Sequence, residues 1–177
     1  MSGVQPQEAR EATISDQLSL VPCEVCKRTP TKVLAISSGG GHWVQLLRLR
    51  PALEGCSITF ATVDWCYREQ VAGFDFKVIT DATRWNKLAL LKMALQVAIL
   101  LLRERPQIVV STGAAPGYVA IRLSKFIGSR TIWVDSMANV ETLSMSGEKV
   151  GRYADLWLTQ WPHLARPEGP RYMGGVI

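Results

Sequence analysis

Val33-Leu34-Ala35-Ile36-Ser37-Ser38-Gly39-Gly40-Gly41-His42-Trp43-Val44 is the stretch whose reading decides the fold. Its first four residues form an apolar run of strand length, too short for a helix. Two serines and three glycines stop that run abruptly. From His42 the period becomes helical: Val44, Leu47, Leu49 and Leu53 line one side, Arg48 and Arg50 face out, and Gly55 supplies the stop. Glycines at such a turn let the backbone bend sharply and let a ligand approach the amides. The helix that follows offers free N–H groups and the positive end of its dipole, which favour an anion such as phosphate. Neither GxGxxG nor the GK[ST] ending of a P-loop is present. Two readings therefore stand, an anion-binding turn and a tight turn with no ligand. His42, at the helix start, reads either as a general base or phosphate donor or as a cap.

Outward from that turn, strand and helix signals alternate. Residues 57–63, 76–79, 108–110, 131–134 and 156–158 read as strands, and residues 85–102 and a segment running through Phe126 read as helices. The alternation predicts an α/β, Rossmann-like domain: a parallel sheet with helices on both faces. In such sheets ligands bind outside the carboxyl ends of the strands. A second small-residue turn, Ser111-Thr112-Gly113-Ala114-Ala115-Pro116-Gly117, falls at one of those ends and offers hydroxyls and amides. Asp135 ends the next strand, with Asn139 and Glu141 following. Its carboxylate can accept a proton, hold a sugar hydroxyl or cap the next helix, and position alone does not choose. His163, in Trp161-Pro162-His163, lacks a comparable setting and reads as structural.

The net charge of +5 suits an anionic partner, whether a phosphorylated ligand, a lipid surface or nucleic acid, and selects none of them. Residues 1–30 are polar and read as a tail, with one helical turn near Asp16 to Leu20 and no secretory signal. Cys23 and Cys26 form a lone CxxC with neither a second pair nor histidines at ligand spacing, so no metal is expected. The expectation is a cytosolic setting with reduced thiols. Leu88 to Leu102 is apolar except for Lys92 and Gln96, but is shorter than the roughly 20 residues that span a bilayer. A buried core helix is one reading of it. The other is a membrane-interface helix, because Arg84, Trp85, Lys87, Lys92 and Arg103 surround it.

Several segments together resemble one family. Residues 33–50 (VLAISSGGGHWVQLLRLR), the 111–117 turn, residues 132–142, YADLWLTQW at 153–161 and Tyr172-Met173-Gly174-Gly175 resemble, in order, the asparagine-linked glycosylation protein fourteen family, in its bacterial exopolysaccharide form. The resemblance spans residues 32–177. It implies the acceptor-side half of a split two-Rossmann-domain (GT-B) glycosyltransferase, whose separate donor-binding subunit holds the nucleotide sugar. The acceptor it implies is a sugar on a polyprenyl diphosphate. More distantly, the chain is similar to the N-terminal domain of the peptidoglycan N-acetylglucosaminyltransferase.

Carried over, Ser38, Gly39, Gly40, Gly41, Thr112, Gly113 and Ala114 would face the acceptor, with His42 or Asp135 as base. Tyr172, Met173, Gly174, Gly175 and Val176 would meet the partner. Arg84, Trp85, Lys87 and Lys92 would meet the membrane. No cofactor and no nucleic acid is implied. A complete enzyme of this type needs a second domain of similar size, which 177 residues do not hold. The expectation is a 31–177 domain, inactive alone, associated peripherally with the cytoplasmic face of a bacterial inner membrane. The competing expectations are a non-catalytic scaffold that recruits the donor-binding subunit and, less well matched, a nucleotide-dependent oxidoreductase. The second fails on its glycines, although Asp64 lies near the end of the second strand.

Overall fold

The apolar runs become strands: β1 (Lys32–Ile36), β2 (Ser57–Thr62), β3 (Asp75–Val78), β4 (Ile108–Ser111), β5 (Arg130–Val134) and β6 (Leu156–Thr159). A two-residue strand, β7 (Arg171–Tyr172), adds to them. These assignments come from a computed structural model, which describes residues 29–83 and 85–176. The expected tail, apart from its last two residues, the Cys23 and Cys26 pair, and Arg84 lie outside the described residues. The strands form one parallel sheet in the order β3-β2-β1-β4-β5-β6-β7. The order reverses between β1 and β4, so the topological switch point lies between those two strands.

Side chains alternate across the sheet, and each face has its own core. Val33 and Ala35 of β1 face a cluster built on Trp43, Leu46, Phe60 and Phe76, whereas Leu34 and Ile36 face Met93, Val97, Leu101 and Ile121. The first face is covered by α1 (Gly41–Arg48) and a 3-10 helix at Trp65–Val71. The second is covered by α2 (Lys87–Glu104) and α3 (Ala114–Ser124), which pack on each other, with α4 (Met145–Val150) against α3. The expected Rossmann-like parallel sheet with helices on both faces is what the chain forms.

The first helix departs from the expected register. Trp43 and Leu46 are buried and Val44 is exposed. Trp43 sets this rotation by packing edge-on against Phe60 and Phe76. The helix also stops at Arg48, and a separate 3-10 turn occupies Arg50–Leu53. Pro51 has no N–H to donate to the carbonyl four residues back, so the α-helix cannot run through it.

Helix α2 carries two apolar faces. Met93, Val97, Leu100 and Leu101 point into the core. Leu88, Leu91, Leu95, Ile99 and Leu102 face solvent, with Leu88 80 % and Leu91 68 % exposed. At a helical rotation of about 100° per residue the exposed five fall within an arc of roughly 80°, with Lys92 and Arg103 along one border and Lys87 beyond the other. No helix among the described residues is long and apolar enough to cross a membrane.

Candidate functional site

The register of the sheet places the two small-residue turns side by side. Ile36, the last residue of β1, pairs with Ala61 on one side and Ser111 on the other. The turns that leave β1 and β4 therefore flank the switch point, where doubly wound sheets hold their ligands.

In the first turn the glycines have distinct reasons. Gly40, the cap of α1, has φ 66° and ψ −138°, a backbone region open to glycine and strained for other residues. A Cβ on Gly40 or Gly41 would have nothing within 4 Å, so no protein atom requires the small side chain there. Gly39 is crossed by Tyr67, whose hydroxyl would lie 3.1 Å from an added Cβ. That hydroxyl accepts the Gly40 N–H at 2.8 Å. No side chain caps α1, whose first backbone bond runs from the Val44 N–H to the Gly40 carbonyl. The N–H groups of the helix's first turn are thus left for a ligand or water. Ser38 contributes a hydroxyl directed to the Gly39 carbonyl at 3.5 Å.

The second turn is occupied by the protein itself. Thr112 is buried and grips His42 twice: its hydroxyl donates to the His42 carbonyl at 2.6 Å, and its carbonyl lies 3.0 Å from His42 Nδ1. A carbonyl only accepts, so Nδ1 carries the proton and a neutral ring presents Nε2 as an acceptor. Among the described residues nothing bonds Nε2. Gly113, with φ 143°, lies under the imidazole, where an added Cβ would fall 2.5 Å from the ring. Its N–H donates to Ser111 Oγ, which itself fits because residue 117 is glycine. Ala114 opens α3 at φ 63° and, like α1, that helix has no side-chain cap.

Asp135 is also at a strand end, but its carboxylate is fully engaged. Oδ1 accepts the Ser144 hydroxyl at 2.6 Å and the Trp133 indole at 3.3 Å, while Oδ2 accepts the Ser144 N–H at 2.9 Å. Ser144 in turn caps α4 through the Gly147 N–H. Its position left a proton acceptor, a holder of a sugar hydroxyl and a helix cap open; the bonds it makes here run to Ser144, the cap of α4. His163 donates from Nε2 to the Val140 carbonyl and, with the Trp161 indole on the Met137 carbonyl, pins the loop after β5.

The expected membrane residues Trp85, Lys87 and Lys92 are exposed at or near the start of α2. Tyr172, the last residue of the edge strand, and Met173, Gly174 and Gly175 after it are exposed, and Val176 is half-buried. The described residues hold no cluster of three or more His, Cys, Asp or Glu arranged for a metal ion. Cys56 and Cys66 are free thiols. The Asp64 carboxyl is held below its usual value by the Cys66 N–H, and it pushes the Cys66 thiol up, away from a reactive thiolate.

Tyr67 was invisible to sequence reasoning. It stands 27 residues from Gly40 and reaches the turn because the 3-10 helix 65–71, capped by Asp64, stacks it on Trp43 at 5.1 Å. Gln45 and Gln160, both buried, were missed for the same reason: their amides meet across 115 residues of sequence.

Comparison with known proteins matches residues 79–176 to the family described as "Oligosaccharide biosynthesis protein Alg14 like". The chain is 24 % identical over 181 residues to the UDP-N-acetylglucosamine transferase subunit ALG14 of Eremothecium gossypii, covering 84 % of this chain and 81 % of that one. It is 27 % identical over 167 residues to the subunit of the same name from Yarrowia lipolytica, covering 78 % and 77 %. Among solved structures, Acinetobacter baumannii MurG superposes with a TM-score of 0.67 at 12 % identity. That match covers 82 % of this chain but only 46 % of MurG, less than half its length. The likeness is one of fold: a single Rossmann-like half-domain of the GT-B architecture.

Proposed function

We propose, because the chain belongs to the family of Alg14-like oligosaccharide biosynthesis proteins, that it is the acceptor-side subunit of a nucleotide-sugar-dependent glycosyltransferase. The observation that carries this reading is the pairing of the two turns across the switch point, with His42 seated by Thr112 and Gly113 beside the uncapped start of α1. The relatives from Eremothecium and Yarrowia are named as subunits of a UDP-N-acetylglucosamine transferase. By that analogy a separate chain binds the nucleotide sugar, and the 172–176 segment meets it. The acceptor is a sugar on a polyprenyl diphosphate.

In this reading the first-turn amides of α1, with Ser38 and Ala114 at the rim, hold the diphosphate. Gly39, Gly40 and Gly41 keep that approach open, while Thr112 and Gly113 act by seating the imidazole. An acceptor hydroxyl attacks the anomeric carbon of the nucleotide sugar. The new glycosidic C–O bond forms as the bond to the nucleoside diphosphate breaks and the diphosphate leaves with its electron pair. Nε2 of His42 takes the hydroxyl proton. The partner stabilises the leaving group. Asp135 orders the loop after β5 through Ser144.

The exposed apolar face of α2, with Lys87, Lys92 and Arg103 beside it, suits a helix lying in an anionic lipid interface. It would bring the chain peripherally to the cytoplasmic face of a membrane, the inner membrane in a bacterium. The test is reconstitution. Transfer to a lipid-linked acceptor is expected only when this chain is mixed with its donor-binding partner, and full activity from this chain alone contradicts the split. Replacing Leu91 and Leu95 by Asp should abolish binding to vesicles of phosphatidylglycerol and leave the fold intact. Undiminished binding contradicts the interface assignment.

A further inference from the structure

We infer that Arg48 and Gln160 are positioning residues that hold the 172–176 segment in the geometry its partner engages, and that α1 thereby ties this docking segment to the glycine turn. The inference rests on the proposed partner contact of that segment and deepens it. After Tyr172 leaves the sheet edge, the chain turns at Gly174, φ 106°, and comes back over α1. Val176 is then held at both of its backbone groups. Its N–H donates to Gln160 Oε1 at 2.9 Å, and its carbonyl accepts Arg48 Nη1 at 3.3 Å.

Gln160 is saturated. Its amide nitrogen donates to the Asp135 carbonyl at 2.9 Å and to Gln45 Oε1 at 3.3 Å, and Gln45 donates onward to Ser136. Two buried glutamines at the end of β6 and the middle of α1 are costly to leave unsatisfied, and here each completes the other. The eight-residue helix α1 therefore carries His42 in its first turn, Gln45 one turn later and Arg48 at its last residue. One rigid element serves the diphosphate turn at one end and clamps the docking segment at the other. Between Tyr172 and Val176, Met173 is left 69 % exposed as the presented side chain.

The experiment titrates the donor-binding subunit against this chain, reading both transfer rate and complex formation by calorimetry. For Arg48→Ala, an exposed site where folding is not at stake, the partner concentration giving half-maximal rate should rise about tenfold. The plateau rate and the acceptor KM should move less than twofold, and Arg48→Lys should recover most of the loss. Gln160→Ala should shift half-saturation at least as far. Unchanged half-saturation in both variants overturns the inference. So does a lowered plateau with unshifted half-saturation, which is the signature of fewer folded molecules. If the wild-type mixture forms a complex but transfers no sugar, the functional reading fails while the calorimetric comparison still decides the clamp.

Discussion

The two small-residue turns look alike in sequence and differ in what their glycines are for. In the turn after β1, Gly40 and Gly41 face open space, and their smallness serves the backbone and whatever approaches it. In the turn after β4, Gly113 is small because an imidazole rests on it, and Gly117 because Ser111 does. One turn is a surface left bare and the other is a seat. A strand-end glycine cluster therefore does not by itself mark a ligand contact; the space beyond each Cα decides.

This contrast predicts a graded set of outcomes. His42→Ala should lower turnover in the reconstituted mixture about 10²–10⁴-fold while costing only about 1 kcal/mol of stability for the lost bond to Thr112. Unchanged turnover with intact partner binding would leave only a scaffold. Gly113→Ala should come next, because its methyl displaces the ring and its φ is unfavourable: about 100-fold in kcat and about 2–3 kcal/mol in stability, read by urea denaturation. The bare turn should respond differently. Gly40→Ala should cost about 1–2 kcal/mol from backbone strain alone. Gly41→Ala should be neutral or stabilising by up to about 1 kcal/mol, since alanine favours the helix, while raising the acceptor KM about fivefold. A Gly41→Ala protein with wild-type KM would erase the distinction between the turns.

The smallest effect on transfer serves as a control from the opposite end of the strands, where Asp155 precedes β6. Burial pushes the Asp155 carboxyl up, but hydrogen bonds from Lys125 and Thr131 outweigh it and hold it below its usual value. Its salt bridge with Lys125 is half-exposed, so Asp155→Asn should cost about 1 kcal/mol and leave transfer untouched. A group with a lowered folded pKa stabilises above the unfolded value of 3.8 and loses that contribution as pH falls through the folded one. The difference between wild type and variant should accordingly close in acid denaturation below pH 3.8.

Much of the architecture was legible because it rests on local pattern. β1, β4, β5 and β6 carry continuous apolar runs bounded by small or polar residues, β2 is a mixed apolar and threonine segment, and each lies within a residue or two of its expected place. β7 and α4, at two and six residues, are too short to carry a period. α2 was legible as apolar but not as two-faced, because a helix apolar on most sides gives no moment to say which side is covered. His42 and Asp135 were both singled out as candidates by position, and only contacts separate them: Thr112 leaves His42 Nε2 unbonded, whereas Ser144 and Trp133 occupy Asp135. Tyr67 and the Gln45–Gln160 pair depend on partners 27 and 115 residues away, and no local signal announces such pairs.

The central claim is that the bare turn receives the acceptor and that the nucleotide sugar is held elsewhere. Titration calorimetry on this chain alone, with short-chain polyprenyl diphosphate-linked sugars and with UDP-N-acetylglucosamine as separate ligands, tests it directly. The account predicts saturable binding of the lipid-linked sugar, weakened by Gly41→Ala, and no heat from the nucleotide sugar. Tight binding of UDP-N-acetylglucosamine with none of the lipid-linked sugar would contradict it.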